Sequence, residues 1–361
     1  MSIAFKPVTV GPWDLPQSFV MAPMTRSRAG AGNVPTALNS EYYAQRASAG
    51  LLITEGIAPS EVGQGYPFAP GLYTDAQVEG WRAAAEAVHA AGGTIVAQLM
   101  HVGRVAHTDN KAGAETIAPS AVQAPGEMFT PTGPQPHDVP RAARADELDG
   151  IRDEYVVAAR NAMRAGLDGV EVHAANGYLL HQFLDPTVNL RDDEYGGTPQ
   201  RRARFVVEVV AAIADAIGAE RVGVRLAPGN PLNGMGEQPG EDLVDTYRAV
   251  VDGISNVGLA YLSVLVVSQE HFGPLVADLR ERFDGPLMLN APSAEPTSLE
   301  TVENLLGDGL ADVVAVGRSF LANPDLVERW KQGAPVNEAD PATFYGGDHR
   351  GYTDYPVLAA V

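Results

Sequence analysis

The 361 residues carry a formal net charge of -20 and no cysteine, which excludes disulfides, thiolate zinc sites, cysteine nucleophiles and cysteine-held iron–sulfur clusters. So acidic a chain is repelled by DNA and by anionic membranes before contact forms, so neither is an expected partner. With 45% hydrophobic residues, no apolar run long enough for a bilayer and no signal-like N-terminus, it reads as a soluble cytoplasmic protein, monomer or homodimer.

In chain order, KPVTVGPWDLP predicts a short hairpin before residue 18. Candidate strands then follow at SFVMAPM (18–24), LLITEGIA (51–58), TIVAQLMH (94–101), DGVEVHAA (168–175), RVGVRLAP (221–228), AYLSVLVV (260–267), PLMLNA (286–291) and ADVVAVGR (311–318). Longer amphipathic segments alternate with them, among them TDAQVEGWRAAAEAVHAAGG with its acidic first turn and Gly exit. Such alternation predicts a parallel sheet with crossover helices. About eight units predict an α/β fold, a single-domain (β/α)8 TIM barrel over residues 1–361, with the hairpin closing its bottom. A doubly wound sheet would need a G-x-G-x-x-G turn after the first strand, where MAPMTRSRAGAG stands instead. Residues 102–144 are Pro- and Gly-rich and too long for an ordinary connection, which predicts a functional loop over the barrel mouth.

In such a barrel the strand ends share one pocket. Thr25, Gln98, His173 with Asn176 and Tyr178, and Arg225 all fall there. Polar groups at the ends of apolar strands need partners, since burying one unpaired costs roughly 1–3 kcal/mol. A planar ligand with carbonyl oxygens and ring nitrogens would supply them. After the last strand, Gly317, Arg318 and a helical start form a candidate phosphate site, so flavin mononucleotide, FMN, would use both ends. Glu171 shares strand parity with His173 and points inward, a structural carboxylate whose partner the sequence does not identify.

The blocks VMAPMTRSRA, EYYAQRASAGLLITEG, VHAAGGTIVAQLMHVGR, EVHAANGYLLHQFL with NLRDDEYGGTPQRRARF, VAVGRSFLANPDLVERW and FYGG…GYTDYP run collinearly through nearly the whole chain. Together they resemble the Old Yellow Enzyme family, in its single-domain branch near N-ethylmaleimide, morphinone and pentaerythritol tetranitrate reductases. The resemblance implies an FMN-dependent ene-reductase working by ping-pong hydride transfer. NADPH or NADH would reduce the flavin, which would then reduce the C=C bond of an α,β-unsaturated carbonyl, maleimide or nitro compound. It also implies roles. His173 and Asn176 would hold the substrate's oxygen, and Tyr178 would protonate the α-carbon. Pro23, Met24, Thr25, Gly56, Gln98, Arg225, Ala291, Gly317 and Arg318 would hold FMN, while Met100 and Tyr345 would border the substrate.

Two positions depart from the family pattern. Where it has a Gly-rich phosphate turn, this chain reads LNAPSAEP, and Pro292 has no N–H to donate. The expectation is a weaker hold on the phosphate, with Ala291 as the remaining amide donor. Met100 stands where close relatives often carry Trp, which predicts a wider pocket. No metal site is expected: a metal-dependent barrel hydrolase would show a strand-end H-x-H, and none of the eight His residues makes one. The alternative that keeps the cofactor is a flavin-binding redox sensor without alkene turnover, for which Tyr178 would be dispensable.

Overall fold

The computed structural model describes residues 2–359. Eight parallel strands close a barrel in chain order: β1 (Phe19–Met21), β2 (Leu51–Ile57), β3 (Thr94–Leu99), β4 (Gly169–Ala174), β5 (Val222–Leu226), β6 (Tyr261–Leu265), β7 (Leu287–Asn290) and β8 (Val313–Val316), with β8 pairing back to β1. Both faces of these strands are covered, so they read as near-continuous apolar runs rather than alternating ones. The run 18–24 pairs only over Phe19–Met21 because Pro23 lacks the N–H a ladder needs. There the chain leaves the sheet and enters the pocket wall.

Helices Asp75–Ala90, Ala145–Arg164, Pro199–Ile217 and Glu241–Ile254 pack outside, each burying one apolar stripe. The start of Asp75–Ala90 is fixed by a capping box in which Thr74 and Gln77 satisfy each other's backbone N–H groups. Among the described residues no helix is long and apolar enough to cross a membrane.

The barrel floor is sealed by the expected hairpin, Val8–Val10 paired with Trp13–Leu15. Val10, Trp13 and Leu15 pack there with Val20, Ile53, Val96, Tyr261 and Met288. Glycines on β4 and β5 admit the large rings. A Cβ at Gly169 would stand 2.9 Å from the Trp13 ring, and one at Gly223 2.2 Å from the Tyr261 ring. The same inward-facing rows therefore run from glycine at the floor to charge above it: Gly169, Glu171, His173 on β4 and Gly223, Arg225 on β5.

The long connection after β3 is ordered. It holds an antiparallel hairpin, Glu127–Thr130 with Gly133–Pro136, and a short parallel pairing of Ile117–Ala118 with Arg141–Ala142. Buried Arg104 ties its start to the loop after β5, donating to the carbonyl of Gly234 at 2.8 Å. Past the last helix the chain returns to the barrel mouth and is gripped by three buried arginines. Arg26 donates to the Gly351 and Phe344 carbonyls, at 2.7 and 3.0 Å. Arg28 donates to those of Thr343 and Asp348, at 2.8 and 2.9 Å. Arg46 reaches the carbonyl of Tyr352 at 3.2 Å. Tyr42 and Tyr352, stacked 4.2 Å apart, lie under the guanidinium groups.

Candidate active site

Thr25, Gln98, Met100, His173, Asn176, Tyr178, Arg225, Arg318 and Tyr345 converge, with Pro23 and Met24, on one cavity of about 280 Å³ at the C-terminal end of the barrel. They come from β1, β3, β4, β5, β8 and the returning C-terminal segment, so no one stretch of sequence contains the site.

Below the cavity lies a polar layer. Glu171 is fully buried, and the sequence left its partner open. Gln98 donates Nε2 to its carboxylate at 2.7 Å, and the Tyr261 hydroxyl donates at 3.1 Å. Burial pushes the Glu171 pKa up, while the nearby Arg225 charge opposes the rise. With Nε2 engaged, the Gln98 side-chain oxygen is left without a hydrogen bond in the cavity wall. Arg225 donates to Asn290 Oδ1 at 2.8 Å and to Ser263 Oγ at 3.2 Å, and its Nε has no partner. A buried guanidinium N–H without an acceptor costs too much to be left so in a working site.

Above that layer, His173 lies opposite Arg225 in the β4–β5 register and is 3% exposed, with Nδ1 unpartnered. Burial and the arginine charge hold its pKa well below the usual value, so the ring is neutral at neutral pH. Asn176 adopts a left-handed conformation, φ 58°, which Asn tolerates better than most residues. Its Oδ1 accepts from Asn230 Nδ2 at 2.8 Å and its main-chain carbonyl from Asn233 Nδ2 at 2.7 Å. The Asn176 amide nitrogen is thereby turned toward the cavity.

The next residues are pinned from below. The Gly177 N–H donates to His181 Nδ1 at 2.9 Å, and the other His181 nitrogen meets Tyr247 at 3.0 Å and Glu237 at 3.3 Å. Tyr178 follows, 7% exposed, in edge contact with the His173 ring at 5.1 Å. Its hydroxyl lies 3.1 Å from that of Tyr66. Burial raises the Tyr178 pKa well above 10, so the phenol keeps its proton across the neutral range.

A second, larger cavity of about 680 Å³, with an exposed rim, adjoins the first and shares Thr25, Tyr178 and Tyr345 with it. Its rim carries exposed apolar side chains from four segments: Phe68 (58% exposed), Phe129 (62%), Leu232 (51%) and Tyr345 (70%). Phe129 belongs to the hairpin of the long loop, which therefore does border the mouth, as its length suggested. No lysine, arginine or histidine lines this cavity.

Three expected residues lie outside the cavity wall. Gly56 sits at a bulge in β2 and faces Met100 instead: a Cβ there would stand 2.5 Å from the thioether, so the glycine makes room for that side chain. Ala291 belongs to the loop after β7 and does not reach the cavity. Gly317 touches Met24 from behind the wall, with its Cβ direction 3.5 Å from the sulfur. Arg318 does line the cavity, but its guanidinium is engaged by the departing loop, donating to the carbonyls of Ser293, Ala294 (2.8 Å) and Glu295 (3.0 Å). The helix it opens, Arg318–Ala322, has only five residues. Residues that sequence reasoning missed are Tyr66, Asn230, Asn233, Tyr261, Ser263, Asn290, Leu321 and Phe344. Leu321 and Phe344 line the cavity themselves, whereas the other six act through a partner distant in sequence.

The donor set fits a flat, acceptor-rich ligand. Gln98 offers a carbonyl and Arg225 a free N–H, while Thr25 makes no hydrogen bond of its own and Pro23 and Met24 supply an apolar edge. Those are the contacts a flavin ring requires.

The family model described as the NADH:flavin oxidoreductase / NADH oxidase family matches residues 4–337. A probable flavin mononucleotide-dependent alkene reductase of Leishmania infantum is 41% identical over 370 residues, covering 99% of this chain and 98% of its own length. 12-Oxophytodienoate reductase 1 of Oryza sativa subsp. japonica is 38% identical, covering 98% and 93%. Among solved structures, the old yellow enzyme homologue from Zymomonas mobilis superposes with a TM-score of 0.93 at 40% identity, covering 98% of this chain and 99% of its own. Morphinone reductase in complex with tetrahydroNAD gives 0.92 at 43% identity, covering 99% and 98%.

Proposed function

The chain belongs to the NADH:flavin oxidoreductase / NADH oxidase family, among the old yellow enzyme homologues, and from that membership we propose how its own residues carry out the family's chemistry. It is an FMN-dependent oxidoreductase that uses a nicotinamide nucleotide to reduce activated carbon–carbon double bonds. When bound, FMN supplies the two-electron step, taking hydride from the nicotinamide and giving hydride to the alkene.

The residue roles follow from how each side chain is held. Pro23, Met24, Thr25, Gln98 and Arg225 hold the flavin ring, and the unpartnered Arg225 Nε favours its electron-rich state by Coulomb attraction. Arg318 shapes the loop that flanks the phosphate. His173, kept neutral, and Asn176, with its amide nitrogen turned inward by Asn230, donate to the oxygen of the substrate's carbonyl or nitro group. Such donors act best when aimed where negative charge develops, and a neutral imidazole donates without adding a charge to be desolvated. Tyr178, protonated and buried beside them, delivers a proton to the α-carbon.

One observation carries this reading: a neutral imidazole, an oriented amide and a protonated phenol converge at one end of a cavity in which the buried Arg225 Nε still lacks an acceptor. The open second cavity, apolar at its rim and free of basic side chains, favours alkenes bearing an apolar extension over anionic ones. The test is anaerobic: reduce the FMN-loaded protein with NADPH, add 2-cyclohexenone, and follow the flavin absorbance. Bleaching and then recovery of the bands, with cyclohexanone formed, is the expected result. Bands that bleach and do not recover with enones, maleimides or nitroalkenes would leave a flavoprotein without alkene turnover and overturn the proposal.

A further inference from the structure

Once Tyr178 has given up its proton, a phenolate is left at a buried position, and the next turnover requires that proton back. Neither neighbour on the cavity side is a ready source. His173 is neutral and meets the phenol ring edge-on, and Arg225, across from His173, keeps its protons. On the other side stands Tyr66, whose hydroxyl is 3.1 Å from the Tyr178 hydroxyl. Tyr66 also lines the open cavity of about 680 Å³, whose only carboxylate is Glu127 and whose other phenols are Tyr178 itself and Tyr345. Its backbone is fixed, with the carbonyl accepting from Gln64 Nε2 at 3.1 Å and from the Ala69 N–H. Its side chain packs against the buried apolar cluster that includes Met100, Met128 and Tyr178.

We propose that Tyr66 is a proton relay that returns to Tyr178, from water in the open cavity, the proton used in each turnover. This rests on Tyr178 being the donor to the α-carbon. With Tyr66 donating across the 3.1 Å contact, the Tyr178 hydrogen is left free to point at the substrate. As the C–H bond forms, the Tyr178 O–H bond breaks and its electron pair stays on the oxygen. The Tyr66 proton then passes to that oxygen, and a water protonates Tyr66, leaving a hydroxide that a proton from bulk solvent neutralises. Both tyrosine oxygens end with the proton count they began with, and one solvent proton enters the product. Burial raises the pKa of both phenols, that of Tyr178 the more, so a Tyr178 phenolate draws the proton from Tyr66.

Relay and mere positioning predict different kinetics. In FMN-loaded Tyr66→Phe, pre-reduced with NADPH and mixed with 2-cyclohexenone, the first turnover uses the proton already on Tyr178. It should proceed within about twofold of the unaltered enzyme, while steady-state turnover falls at least about tenfold. Adding imidazole or phosphate buffer at fixed pH should restore the steady state, because a small acid replaces the missing hydroxyl. A first turnover slowed as much as the steady state, with no recovery in buffer, would make Tyr66 a positioning residue and overturn the relay. Unchanged steady-state turnover would mean that water reaches Tyr178 directly, and would overturn it too. The parallel variant Tyr178→Phe separates the premise from the inference. If its first turnover is not slowed, the assignment of Tyr178 as donor fails and the relay falls with it.

Discussion

At the β4–β5 end of the pocket three polar groups facing the cavity are held from behind by another side chain: Asn176 by Asn230, Tyr178 by Tyr66, Gln98 by Glu171. At the β7–β8 end one arginine grips three main-chain carbonyls of a loop that offers a proline where an amide is expected. The first arrangement fixes the direction of individual donors, so its precision depends on residue identity. The second fixes the course of a loop and is indifferent to the side chains that loop carries. Chemistry that depends on direction therefore belongs to the first end, and binding strength to the second.

The contrast breaks most completely if the layer joining the two ends is cut. Arg225→Met removes the cation beside buried Glu171 and should destabilise the fold by roughly 3–5 kcal/mol. Flavin content should fall to near zero, read from the absorbance ratio and the urea midpoint. Next in size, Asn230→Ala frees the Asn176 amide to rotate. It should lower enone kcat/KM by about tenfold to a hundredfold, the equivalent of one lost buried hydrogen bond, with flavin content unchanged. If Asn230→Ala also sheds flavin, the division of labour between the ends is wrong. Arg318→Ala should do the reverse, weakening FMN affinity by about tenfold while leaving kcat at saturating FMN as it was.

The smallest effect expected is that of pH on rate. His173 is held below its ordinary range and Tyr178 above its own, so neither changes protonation between pH 6 and 8 and flavin reoxidation by enone should be flat there. Stability should not be flat. An unfolded chain protonates this histidine below its ordinary value of 6.5 whereas the folded one does not, so the unfolded state binds more protons and stability declines as pH drops through that region. Urea midpoints at pH 5 and 7 would check the sign.

The barrel was legible because its signal is local and repeated: buried parallel strands are apolar runs, and each announces itself separately. His173, Asn176, Tyr178 and Arg225 were legible for a related reason, as polar residues at the ends of such runs. Their supports were not. Asn230 and Asn233 sit in a loop after β5 and act on the turn after β4, and Tyr66 reaches Tyr178 across 112 positions. Pairings of that kind have no period to detect. Gly56 shows a constraint that the sequence hides, since a glycine near a strand end invites a ligand-facing reading alone. The bulge in β2 turns it toward Met100, and only the closed barrel reveals that neighbour.

Arg26, Arg28 and Arg46 hold the returning C-terminal segment, and nearly all their hydrogen bonds go to main-chain oxygens. Every residue type presents the same oxygen, so the clasp does not read the sequence it holds. Phe344 and Tyr345, which line the pocket from within that segment, can therefore be exchanged without loosening it. The last stretch of the chain behaves as an interchangeable panel: drift or directed recombination there would retune which alkenes are accepted while the catalytic strands stay as they are.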